Sequence, residues 1–130
     1  MLATIHWARV LIAAVFSELG VIAVLLVSIA IYKKLGGRAV SEQETASLGE
    51  RVGYYVAPAA GFVTTGLAAL WAVRGLDSGI VANAVAVGIV SVAITLPFLR
   101  SARPEHRPMY GVAFALRLVA AYLAGVLSAA

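Results

Sequence analysis

The sequence predicts an all-α polytopic membrane protein, a four-transmembrane-helix bundle forming a single membrane domain over residues 1–130, on three observations. First, 62% of its residues are hydrophobic and only 12% charged, whereas a water-soluble domain carries about 25% charge and under half apolar residues. Second, the apolar residues fall into four runs close to the ~20 residues that cross a bilayer core. Third, the charges gather between those runs. Four spans consume roughly 80 residues and leave little beyond tails and loops. A water-soluble enzyme and a nucleic-acid-binding module are therefore excluded, and the net charge of +4 reports loop topology. With no cysteine, disulfides, iron–sulfur clusters, thiolate zinc sites and thiol nucleophiles are excluded together.

Span one covers residues 10–32, where only Ser17, Glu18 and Ser28 interrupt the apolar run. It stops at Lys33-Lys34 rather than at a small-residue cleavage site, so it reads as a retained span and not a signal peptide. Gly36-Gly37 breaks the helix and opens the polar loop 33–51. There Ser41 and Glu44 have capping-box spacing, and Glu42 and Glu44 suit the positive end of a helix that extends into span two.

Span two covers residues 52–73 and contains Pro58, whose missing N–H frees the carbonyl of Tyr54 and is expected to bend the helix. The turn Arg74-Gly75-Leu76-Asp77-Ser78 makes a tight hairpin into span three, residues 79–99, which carries Asn83 near its start and Pro97 near its end. The basic loop 100–107 follows, and Pro108 suits the first position of span four, residues 109–129.

Four spans put both termini on one side. Lys33, Lys34, Arg38, Arg51, Arg100, Arg103 and Arg107 then share the opposite face, against Arg9 and Arg74 on the side of the termini. The positive-inside rule places the two long loops in the cytoplasm and both termini outside the cell (inner) membrane. Trp7 and Trp71 mark the outer boundary, and Tyr32, Tyr54, Tyr55, Phe98 and Tyr110 the inner one.

Small residues recur at helical spacing in every span: Ala13 with Ser17, Ala57 with Gly61, Ala84 with Gly88, Gly111 with Ala115, and Ala121 with Gly125. Such faces let helix backbones approach where lipid supplies no hydrophobic drive, either within one bundle or between copies of the chain.

Two charges fall inside spans. Glu18 lies close to the bilayer midplane, and an ionisable group at that depth is a functional candidate. Arg117 sits roughly 13 Å from the inner end of span four and cannot escape its charge by losing a proton. A Glu18–Arg117 salt bridge is the direct solution, but counting from the span ends separates the two backbones by roughly 8 Å in depth. Side chains lean toward their own helix N-terminus, which also points this pair apart. The alternatives are Arg117 snorkelling to the cytoplasmic headgroups and a protonated Glu18 hydrogen-bonded to Thr64 or Thr65 on span two. Ser91 and Thr95 are expected to satisfy helix backbone. His6 and His106 fall on opposite faces, which disfavours haem ligation within one subunit. No phosphate loop, nucleophile elbow, zinc signature or carboxylate pair occurs, so neither enzymatic activity nor a cofactor is expected.

The stretch Ile5-His6-Trp7-Ala8-Arg9-Val10-Leu11-Ile12 entering a span with Glu18, then Tyr55-Val56-Ala57-Pro58 and a cation in the last span, resembles small four-helix bacterial membrane proteins of uncharacterised activity. That resemblance implies a bacterial integral membrane protein. The chain is also similar to the small multidrug resistance transporters in length, in its four spans and in a first-span glutamate, here Glu18. It departs from them in its long first loop, its strong Lys/Arg bias and a third span poor in aromatics. Two functions follow as expectations. One is a non-enzymatic accessory or scaffold bundle, alone, as a homo-oligomer or in a larger membrane complex. The other is a small proton-coupled transporter or channel that uses Glu18.

Overall fold

The computed structural model describes residues 5–36, 42–101 and 104–130. Helix α1 spans Trp7–Gly36, α2 Glu42–Ala72, α3 Ile80–Ser101 and α4 Arg107–Ala129, with a short 3-10 turn at Pro104–His106 leading into α4. The fold is an all-α four-helix bundle, and each helix is long and apolar enough to cross a membrane.

The helices outrun the apolar stretches that predict them. Helix α1 begins three residues before Val10, and α2 runs unbroken from Glu42 through Pro58, so the expected capped extension and span two are one helix. Nothing in helical hydrogen bonding requires a helix to end where its apolar run ends, and a polar turn continues the ladder in water. Ser41, the expected cap, lies outside the described residues. Pro108 is the second residue of α4, within the first turn, where its missing N–H costs no intrahelical bond.

Helix α1 packs on α2, α2 on α4, and α4 on α3; the ring closes more lightly between α3 and α1. The α2–α3 hairpin turns through Gly75 and Gly79, both at positive φ (79° and 65°), a conformation that strains any residue with a Cβ. Asn83 fixes this end. It donates from Nδ2 to the Gly79 carbonyl at 2.8 Å, while its Oδ1 accepts the backbone N–H of His6 at 2.8 Å, tying the start of α3 to the start of α1. Arg9 ties α1 to α2 by donating from Nη2 to the carbonyls of Trp71 (3.3 Å) and Arg74 (2.8 Å). These carbonyls belong to the negative end of α2, which a cation stabilises.

The interior is built from small residues. Val10, Ala13, Ala69, Ala72, Val73, Ala84, Val87, Ala121 and Ala124 form the buried core, while Phe16, Tyr55 and Leu127 are 66%, 72% and 70% exposed. Two of the small-residue pairs interlock across the α3–α4 seam. A Cβ at Gly88 would stand 2.8 Å from the Ala121 methyl, and one at Gly125 would stand 2.9 Å from the Ala84 methyl. Each motif therefore offers its alanine to the other's glycine. Gly111 and Ala115, expected to pack within the bundle or between copies, do not take part in the packing inside this bundle. Both are exposed, and a Cβ at Gly111 would meet nothing within 4 Å. Ala57 and Gly61 face inward on α2, half-buried and buried respectively.

A buried ion pair held by all four helices

Arg117 on α4 and Glu18 on α1 are 99 residues apart in the chain and in direct contact, Arg117 Nη1 donating to Glu18 Oε1 at 2.6 Å. Their side chains are 6% and 14% exposed. The depth argument against the pair fails because the helices are not level at their ends. Thr64 packs on Gly20 and lies within hydrogen-bond reach of Ser17, so on α2 it marks the level of Glu18. Gly61, three residues earlier on α2, lies against Arg117. That contact is made by the guanidinium, so the charged group itself lies about three residues, roughly 4.5 Å at 1.5 Å per residue, from the level of Glu18, and the two side chains close that gap.

Helix α3 completes the arrangement. Ser91, fully buried, donates from Oγ to the same Glu18 Oε1 at 2.5 Å. Thr95 Oγ1 accepts from Arg117 Nη1 at 3.2 Å while reaching the carbonyls of Ser91 (3.1 Å) and Val92 (3.0 Å) on its own helix. Ser91 is thus the correction to the expectation that both hydroxyls serve helix backbone; Thr95 serves backbone and guanidinium together. The clue available in the sequence is spacing, since positions four apart on a helix lie on one face. Alone, that clue does not distinguish a partner for Arg117 from ordinary back-bonding.

Helix α2 contributes an absence. A Cβ on Gly61 would stand 2.7 Å from Arg117 Nε and 3.3 Å from Nη2, so the guanidinium occupies the volume that any other residue's side chain would fill. Arg117 Nε is buried there without a hydrogen-bond partner. The small residue identified by its spacing to Ala57 works here as a seat for a side chain rather than as a helix-to-helix contact.

Thr64 and Thr65 do not meet Glu18. Ser17 Oγ lies 3.3 Å from Thr64 Oγ1 and 3.0 Å from Thr65 Oγ1, and Thr64 donates to the Ala60 carbonyl at 2.8 Å. Successive helical residues point about 100° apart, so when Ser17 faces α2, Glu18 is turned toward α3 and α4. The result is two polar clusters side by side: hydroxyls between α1 and α2, and an ion pair between α1, α3 and α4. Arg117 snorkelling to the headgroups is likewise replaced by the pair.

Among the described residues no group of three His, Cys, Asp or Glu side chains converges to hold a metal. The side chain of His106 lies outside those described. Comparison with known proteins finds no matching family model, no matching curated protein and no matching solved structure. What the ion pair can do therefore rests on its chemistry: a permanent cation is neutralised by a carboxylate whose Oε1 takes two donors.

Proposed function

We propose that the chain is a multi-pass integral protein of a bacterial inner membrane, with both termini outside, and that it serves as a non-enzymatic accessory or scaffold bundle. The membrane setting is supported by the inverted distribution of apolar residues. Small residues fill the interior and large ones cover the outside, which in water would be a surface prone to association. The observation that carries the scaffold reading is the Glu18–Arg117 pair itself. Its charges are spent on each other, on Ser91 and on Thr95, so they bind helices α1, α3 and α4 into one register. Polar groups that fix register are an attested use of buried charge.

Native mass spectrometry of the gently extracted assembly tests this reading. Stoichiometric larger subunits are the expected companions. A lone monomer that moves a solute across liposomes would replace the scaffold reading with transport.

One observation favours that second reading, a proton-coupled transporter. Both hydrogen bonds to Glu18 fall on Oε1, and the side chain keeps 14% of its surface exposed, a point of access for a proton. Proton release that depends on substrate in the wild type and disappears in Glu18→Gln is the result this reading requires. Release surviving the substitution would exclude Glu18 from the mechanism.

A further inference from the structure

We propose that the groove between α1 and α2 beside Trp71 binds one anionic phospholipid, its acyl chain lying in the groove and its phosphate on Arg9; this rests on the membrane reading above. Ala13 and Ala68 line the open groove with methyl groups and Phe16 and Trp71 with rings, around a volume of about 310 Å³. Phe16 and Trp71 are 66% and 46% exposed, so the groove opens to the surroundings of the bundle. Its lining is almost wholly apolar, as an acyl chain requires.

The cation stands at the end of this groove by helical geometry. At about 100° per residue, Arg9, Ala13 and Phe16 lie within roughly 60° of one another on α1, with Arg9 one turn beyond Ala13. Its guanidinium is held in place. Nη2 donates to the Trp71 and Arg74 carbonyls, and the guanidinium carbon lies 5.7 Å from the Trp71 ring centroid. Those bonds use Nη2 alone, which leaves the donors on Nε and Nη1 to an anion.

Arg74 lies two residues beyond the end of α2, and Asp77 is the one carboxylate in the hairpin turn, so with Arg9 this end of the groove carries more cations than carboxylates. Trp and Arg at a span end sit at headgroup depth. A phosphate is the anion found there, with a hydrocarbon chain descending from it. A zwitterionic lipid would bring its own ammonium against Arg9 and Arg74, so the charge balance selects a lipid with net negative charge.

The test compares phosphatidylglycerol with phosphatidylcholine of the same chains, by native mass spectrometry of the detergent-extracted protein, with circular dichroism to establish folding. One phosphatidylglycerol per chain is expected, about tenfold tighter than phosphatidylcholine, the factor one charge-assisted contact supplies. Arg9→Gln should remove that preference. Should Arg9→Gln unfold through loss of its bonds to α2, Ala68→Leu decides the matter, because it fills the groove and leaves Arg9 and its bonds intact; it should abolish retention. Equal retention by Ala68→Leu and wild type overturns the proposal. So does equal retention of the two lipids, glycerophosphate without chains binding as tightly, or a second copy of the chain occupying the face. A chain recovered from the aqueous fraction would overturn the membrane reading instead, whereas a membrane-extracted chain without bound phosphatidylglycerol overturns the lipid site alone.

Discussion

Removing the charge of Glu18 leaves the Arg117 guanidinium buried with neutral acceptors only. Glu18→Gln should therefore destabilise the bundle by about 3–5 kcal/mol, the range for breaking a buried pair. Glu18→Gln combined with Arg117→Met should cost clearly less, as read by unfolding in detergent; a double-variant loss equal to the sum of the Glu18→Gln and Arg117→Met losses would show that the two residues are not coupled. Gly61→Ala tests the seat for Arg117. The guanidinium is pinned by Glu18 and Thr95 and cannot retreat from a methyl group at 2.7 Å, so a loss of about 1–3 kcal/mol is expected. Gly111→Ala is the control, since its methyl meets nothing within 4 Å; that variant should match the wild type or gain up to about 1 kcal/mol from helix propensity. At this scale the sequence exposes the charges and hides their partners. Glu18 and Arg117 stand out because each interrupts an apolar run, whereas Ser91 looks like any helical serine until α1 is laid beside α3.

Between elements, the α3–α4 seam makes the sharpest prediction. Gly88→Ala sets one methyl against another, that of Ala121, so adding Ala121→Gly should restore most of the lost stability. Gly125→Ala behaves differently, because its methyl would meet the Val81 Cα at 2.9 Å as well as the Ala84 methyl. Adding Ala84→Gly should rescue it only in part, since the clash with the α3 backbone remains. Thermal unfolding of the four variants measures both rescues, and equal rescue would mean that the helices slide apart without cost. The existence and order of the helices were legible because hydrophobic runs separated by charged turns leave few other arrangements. Their ends were not, since hydropathy marks where apolar residues stop and α2 continues for ten residues before that point. Small-residue spacing identified candidate faces but not their partners. Four apart on one helix says that a backbone can be approached closely, and only the bundle decides that Gly61 receives a side chain, Gly88 a methyl and Gly111 nothing.

For the whole molecule, the charge asymmetry gives a direct expectation in the proposed membrane setting: a reporter fused to the C-terminus should report the outer side. A cytoplasmic signal would reverse the topology and move the Arg9 groove to the inner leaflet. The bundle class was readable from composition, since 62% hydrophobic residues cannot be buried inside so small a chain and must face something apolar. Function was less readable, because the same pair of charges serves a lock or a proton site, depending on contacts that no single helix contains.

The separation of 99 residues between Glu18 and Arg117 has a consequence in time. At 5–20 residues per second, the carboxylate is made roughly 5–20 s before the cation that neutralises it. During synthesis the first helix, in the proposed membrane setting, must wait without its cation until the last helix arrives. A chain released before Arg117 would keep three helices and a carboxylate whose cation never arrives.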